Sequence, residues 1–461
     1  MKNFFLPIIF TCITIHSFSQ SKTQFSKQQV IDDLQYLSTS IQESHYNLYL
    51  YTSEEKFAKN YNTVKNSIQK DSLNLLETTN TLQRVISAVN NGHTEIEFPV
   101  QSYREYAMNG GTLFPLEIAF EDNHYLIRKN WSKNGQIRVG SKILSINGRS
   151  MNEILEKIYT QISAERLYFK HAKIELYSFP RCYWRVFGQQ DEFEVEIAMN
   201  HHTQKYTLKA IDLINDFETK RYEILNAKMK LDFYRNTAYL NPGNFAGDES
   251  KFQQFIDASF QKIKEVKAKN LIIDLRNNGG GNDSFSDYLV SYIANKPFKW
   301  NAKFEVKSSQ LLKDHIRKNG NTKSDFSKAI LSHENGEVFA YSFKEHQPQN
   351  EQKRFTGAVF VLVNRQSHSQ ATVTAAQIQD YNFGIIIGEE TAEYSSLCAS
   401  QFKYTLPNTG IEVKVSKGFM TRINGTIKLK GVQPEVVIKD HLLDENDEIL
   451  TETLAIIRQL N

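Results

Sequence analysis

Three short apolar runs, "NLIIDL" (270–275), "AVFVLVN" (358–364) and "FGIIIG" (383–388), carry almost no polar residue on either face. Strands of that kind are buried on both sides, as in a parallel sheet covered by helices. "TAYLNP" (237–242) precedes them, and helical patterns over 250–268, over 283–294 and from 369 fall between them. This βαβ rhythm predicts an α/β core over 211–445, closed by a C-terminal helix over 446–461, with its functional groups at the carboxyl ends of the strands. Residues 297–355 are rich in Lys and Asn with weak periodicity, and read as a surface insertion or lid.

The core is one part of a multidomain α/β chain. At 461 residues the length suggests about two to four domains. Val30, Leu34, Leu37 and Ile41 recur at helical spacing, as do Leu82, Val85, Ile86 and Val89, so 20–104 reads as a helical N-terminal domain. Its last helix stops at Asn90, Asn91 and Gly92 in "NNGHTEIEFP". Alternating stretches then dominate, predicting a separate β-rich module over 105–210, with a polar helical connector near 211–230.

The first 19 residues, with Lys2, an apolar run from Phe4 to Ile15 and small residues at Ser17 and Ser19, have the form of a cleavable secretory leader. Cys12 lies in that run without the context of a lipidated cysteine, so the expectation is a periplasmic or secreted protein rather than a lipoprotein. No later stretch is long and apolar enough to span a bilayer. Cys182 and Cys398 remain in the mature chain, too few for a disulfide framework, and whether they pair is left open. A net charge of +3 gives no electrostatic case for nucleic acid or an anionic membrane. His201 and His202 read as a solvated turn, and no metal site or cofactor is expected.

The glycines of "RNNGGGND" (276–283) ask what must approach that backbone so closely. A phosphate loop would need GxGxxG or GxxxxGK[ST], and neither is present. A tight structural turn and an oxyanion hole remain open. The second needs a nucleophile at a neighbouring strand end. "VFVLVNRQSHSQATVTAAQI" (359–378) supplies Ser369 where a helix would begin, a position that an ordinary N-cap serine also fills.

"NLIIDLRNNGGG", "VFVLVNRQSHSQAT", "IIIGEETA", "LPNTGIEVKV" and "GVQPEVVI", in that order, resemble the C-terminal-processing, or tail-specific, serine peptidases and their tricorn-core-like branch. "IRVGSKILSINGRSMNEIL" resembles the PDZ-like module such proteins carry. The resemblance implies a ClpP/crotonase-like α/β peptidase core behind a helical region and a PDZ-like domain. It makes Ser369 the nucleophile and pairs the Gly280 N–H with that of Gln370 as the oxyanion hole. Asp274 and Arg276 become framework.

The general base departs from the tail-specific pattern, whose downstream lysine falls here near Tyr394. Tricorn-like members use a histidine from the N-terminal side, and "VNNGHTEI" nominates His93, which a mere helix-capping role would also explain. His368, beside the serine, is a second candidate. For the triad acid, Lys428 and Thr372 occupy positions where relatives place a Glu, leaving Glu389 and Glu390 as the nearest acidic candidates. The resemblance implies a serine endopeptidase acting on unfolded or C-terminal protein segments. The alternative is a catalytically inactive peptide- or lipid-binding protein on the same scaffold. Peptide recognition by strand addition is expected at "GGTLFPLEIAF" (110–120).

Overall fold

The computed structural model describes residues 24–199, 202–320 and 322–460; the leader and His201 lie outside them. The expected α/β core is a six-stranded sheet in the order Met229–Tyr234, Thr237–Pro242, Asn270–Asp274, Ala358–Val363, Ile385–Gly388, Val436–Val437. The first pair is antiparallel and every later pair parallel. Leu271, Ile273, Val361, Val363 and Ile386 pack one face against the helices Glu249–Glu265, Asp283–Ser291 and Gln370–Tyr381. Ile272, Phe360, Leu362 and Ile387 pack the other against the C-terminal helix Glu448–Leu460. Burial on both faces is what the unbroken apolar runs require. At the end of Asn270–Asp274, Arg276 is held by Asp274 at 2.7 Å and by Asp447, which ties the C-terminal helix to the central strand.

The Lys-rich segment is not a lid. Its strands Lys303–Lys307 and Val338–Ala340 join the long hairpin Leu397–Thr405 and Glu412–Thr421 in a second, four-stranded sheet. Phe304, Val306, Leu312, Ile316 and Ile330 of the segment share one core with Val30, Leu34, Leu37, Ile41, Leu82, Val85 and Ile86. The N-terminal helices Lys27–Ser44, Glu54–Asn66 and Leu75–Ser87 thus bury their apolar stripe against this sheet and do not close a core of their own. Amphipathic periodicity announces that a stripe is buried; it does not announce its partner, which here lies more than two hundred residues downstream.

The β-rich region forms its own sheet, in the order Leu116–Glu121, His124–Asn130, Lys142–Ile146, Glu192–Met199, His202–Lys209. Three helices the alternation did not announce, Met151–Tyr159, Leu167–Tyr177 and Phe179–Phe187, lie between its strands. Their residues Ile154, Ile158, Ile174 and Phe179 fill its core. Leu116–Glu121 is an edge strand, yet it is nearly all buried, and its Phe120 N–H donates to Glu175 Oε1 of Leu167–Tyr177 at 2.9 Å. The edge expected to accept an added strand is therefore covered there by the module's own helix. Cys182 and Cys398 are both buried, unpaired thiols. Among the described residues no helix is long and apolar enough to cross a membrane.

Candidate active site

The strand Ala358–Val363 ends in a corner over 364–368 that its own side chains fix. Ser367 Oγ donates to the Leu275 carbonyl at 2.8 Å and accepts from the Asn364 N–H at 3.1 Å. Thr372 Oγ1 donates to the Ser367 carbonyl at 2.7 Å, and the His368 N–H reaches the Asn278 carbonyl at 3.0 Å. The corner delivers Ser369 to the start of Gln370–Tyr381 with φ 48° and ψ −119°, and its side chain makes no capping bond. An ordinary N-cap sits in the extended region and accepts from the first turn. Ser369 does neither, and its non-glycine backbone is strained in the manner of residues held at reactive sites.

His93 arrives from the N-terminal region. Its turn begins at Asn90, with φ 52°, after the helix Leu75–Ser87. Ser416 Oγ donates to Asn91 Oδ1 at 2.9 Å, Gln401 Nε2 donates to the His93 carbonyl at 2.8 Å, and Glu95 bridges to Lys414. So anchored to the long hairpin, His93 places Nε2 3.2 Å from Ser369 Oγ across a sequence separation of 276 residues.

On the other side of the ring, Glu393 Oε1 stands 3.0 Å from His93 Nδ1. The two atoms are in contact without hydrogen-bond alignment, a salt bridge whenever the imidazole is protonated. Glu393 Oε2 accepts the Ser369 N–H. Burial is the largest single influence and depresses the His93 imidazole, but the charge and contact of Glu393 together with the Glu165 charge hold His93 above the ordinary value of 6.5. Burial would likewise raise the Glu393 carboxyl, and the facing imidazole keeps it below its ordinary range.

The acids nominated from sequence are elsewhere. Glu389 pairs with Arg365 at 3.2 Å, within a buried cluster that also holds Glu121 and Glu175. Glu390 binds Arg166 at 2.7 Å and accepts the Gly431 N–H at 2.8 Å. Both sit directly after the strand Ile385–Gly388, and the chain needs a few further residues to cross to the histidine. Glu393 was missed, although it adjoins Tyr394, the position aligned with the absent lysine. His368 turns to Gln366 Oε1 at 3.0 Å, and burial pushes it down to about 4. Lys403 forms a half-exposed ion pair with Glu412 at 2.6 Å.

The glycine turn lies against Ser369. Gly280 has φ +83°, and a Cβ there would stand 2.7 Å from both the Gln370 nitrogen and the His368 carbonyl oxygen, and 2.8 Å from Ser369 Cβ. Glycine is therefore required for conformation and for space. The Gln370 amide nitrogen, first in its helix, lies beside Gly280 and has no acceptor among the described residues. The Gly280 N–H is donated to Asn278 Oδ1 at 2.8 Å, so it would have to exchange that acceptor before serving an oxyanion.

Residues 236–438 match the family model of peptidase family S41. The tail-specific protease of Haemophilus influenzae is 28% identical over 204 residues, which are 41% of this chain and 24% of that protein, so the chain matches about a quarter of that relative's length. The solved structure of mature CPAF complexed with lactacystin superposes with a TM-score of 0.65 over 94% of this chain and 98% of that one, at 15% identity. A second structure of mature CPAF gives 0.63 over 94% and 97%, also at 15% identity. At such identity the likeness is one of fold. Residues 236–438 of this chain thus match peptidase family S41, within a fold shared with CPAF along nearly the whole chain.

Proposed function

We propose that this chain is a serine endopeptidase in which Ser369 is the nucleophile, His93 the general base and Glu393 the carboxylate that orients it. One observation carries the reading: His93 Nε2 lies 3.2 Å from Ser369 Oγ while Glu393 faces the other ring nitrogen at 3.0 Å. A nucleophile, a base within reach and a third group behind the base define this chemistry on unrelated folds.

In the reaction, Ser369 Oγ attacks the scissile carbonyl as His93 Nε2 takes its proton. The imidazolium that forms is stabilised by Glu393, which stays ionised. Negative charge on the former carbonyl oxygen is met by the Gln370 N–H at the helix's positive end, joined by the Gly280 N–H once Asn278 Oδ1 releases it. One such donor is typically worth about 3 kcal/mol in the transition state. His93 then gives its proton to the departing amine, leaving an acyl ester on Ser369. Water, deprotonated by His93, cleaves that ester and restores the serine.

The substrate class is protein segments in extended form, unfolded or C-terminal, met in the periplasm or outside the cell. Support comes from the family match, from the name of the tail-specific relative and from the leader-like first 19 residues. The test is digestion of an unfolded protein such as reduced casein, with fragments mapped by mass spectrometry. Cleavage at internal bonds that disappears in Ser369→Ala is expected. Equal fragmentation by the variant, or none by either, would remove the peptidase reading in favour of a binding protein.

A further inference from the structure

Glu165 and Arg166 are neighbours in the β-rich module, between the helices Met151–Tyr159 and Leu167–Tyr177, and they reach opposite halves of the His–Glu pair. Glu165 Oε1 accepts the Gly92 N–H at 2.8 Å and the Asn91 side-chain amide at 3.2 Å, gripping the turn that carries His93. Arg166 donates to the Thr391 carbonyl at 2.7 Å, the Ala392 carbonyl at 2.8 Å and Glu390 Oε1 at 2.7 Å, gripping the loop that carries Glu393. Its guanidinium also lies over the rings of Tyr168 and Tyr394.

We propose that Glu165 and Arg166 are positioning residues, a two-residue clip by which the module holds the base and its carboxylate in register with Ser369. The proposal rests on the reading of His93 and Glu393 as the proton-transfer pair. The module also meets the corner before Ser369, where Arg365 reaches Glu121 and Glu175 and Gln366 Nε2 donates to the Ala172 carbonyl at 3.0 Å. The clip is the route by which its placement sets the base and carboxylate.

Three features separate a clip from incidental packing. Gly92 leaves no room for a side chain, because a Cβ would lie 2.5 Å from Phe169 and 3.2 Å from Glu165 Oε2. The Gly92 carbonyl is taken too, by Lys173 Nζ at 2.9 Å, so both polar groups of the residue before His93 are held by the module. Glu165 Oε2 is buried with no hydrogen-bond partner, a costly placement that a purely structural contact does not need. Burial and the Glu393 charge raise the Glu165 carboxyl, and glutamine at this position keeps an acceptor oxygen for the Gly92 N–H.

The charged and titratable groups around His93 are Glu393 and Glu165, which favour the imidazolium, and Lys173 and His368, which oppose it. Breaking the clip lets Glu393 move off, so the His93 pKa should fall. The experiment uses the full chain and two readouts: fluorophosphonate labelling rate of Ser369, and the His93 titration by NMR, assigned with a His93→Asn variant. Arg166→Ala and Glu165→Ala should each label about 10- to 100-fold more slowly, the effect of a small misplacement of reacting groups. Both should titrate His93 at lower pH, and the double variant should be little worse than the slower single one, because both act through one contact. Glu165→Gln, which still accepts the Gly92 N–H, should stay within about 3-fold of wild type.

Thermal melting identifies any variant that fails to fold. Arg166→Lys, which keeps the charge but cannot make all three contacts, then replaces Arg166→Ala. Folded variants that label at the wild-type rate with the His93 titration unmoved would overturn the clip. A wild-type chain that the probe never labels would remove the peptidase reading instead, and the His93 titration would still decide whether the clip exists.

Discussion

The two sides of the candidate site are built differently. The nucleophile side, Ser369 with the glycine turn at 276–283, comes from adjacent parallel strands whose register places Asp274 beside Leu362. The proton-transfer side joins a turn after an N-terminal helix, a loop after Ile385–Gly388 and two residues of the β-rich module. The first is set by the register of the sheet and by the side-chain bonds of the corner at 364–368. The second brings together segments from different parts of the fold, through the backbone bridge of Glu95 to Lys414 and the side chains of Glu165 and Arg166, so its placement depends on how those parts dock. On the proposed reading, the acyl chemistry draws chiefly on the sheet's own framework and the proton chemistry chiefly on docking.

Substitutions should divide along that line. On the nucleophile side, Ser369→Ala should abolish hydrolysis outright, checked by fragment mapping. Gly280→Val should come close behind, about 100-fold or more down in turnover, because the new side chain meets the backbone of the nucleophile as well as the oxyanion's path. Circular dichroism and melting should show whether that variant folds. Normal turnover in a folded Gly280→Val would make the glycine turn structural only.

On the proton side, His93→Ala should cost about 100- to 10,000-fold in rate with the fold intact. In wild type, activity should rise with pH through an apparent value above 6.5, since His93 must be neutral to act and Glu393 raises it. In Glu393→Gln the carboxylate charge is gone, burial dominates, and the limb should move to lower pH while the rate falls. A limb that stays in place would separate Glu393 from His93. Stability runs the other way. A histidine raised on folding stabilises fully below about 6.5, and its contribution is lost as pH climbs through the folded value. His45, buried among the N-terminal helices and pushed down to about 4, gives the opposite sign: its contribution is present above about 6.5 and lost as pH falls through about 4. His45→Asn should flatten that acid limb of the melting profile.

The smallest effect belongs to Lys403, the lysine that a shifted Ser/Lys dyad would recruit. Lys403→Ala should change turnover by less than about 2-fold and stability by about 0–1 kcal/mol, the range for an exposed ion pair. A large loss would restore a lysine mechanism.

The same division governs what the sequence reveals. Residues 270–275, 358–364 and 383–388 declare a parallel sheet because burial on both faces leaves no polar position. Ser369 and Gly280 are then legible as strand-end residues, and His93 is nominated through a short resemblance. What stays hidden depends on contacts between distant segments. Glu393 was passed over for Glu389 and Glu390 because nothing local tells which acid in "GEETAEYSS" turns back toward a histidine three hundred residues upstream. Glu165 and Arg166 carry no motif, and their roles exist only once the module is docked. The segment 297–355, which reads as a surface insertion or lid, joins a shared core because its apolar residues are spaced to meet the N-terminal helices rather than one another.

The claim that His93 and Ser369 form one reactive unit has a direct measurement: the rate of fluorophosphonate labelling as a function of pH for wild type, Ser369→Ala and His93→Ala. The account predicts a single modified residue, Ser369, labelled along a limb that rises above pH 6.5. Labelling should be absent in Ser369→Ala and about 100-fold or more slower, without that limb, in His93→Ala. Labelling of a folded His93→Ala at the wild-type rate and with the wild-type pH profile would contradict it.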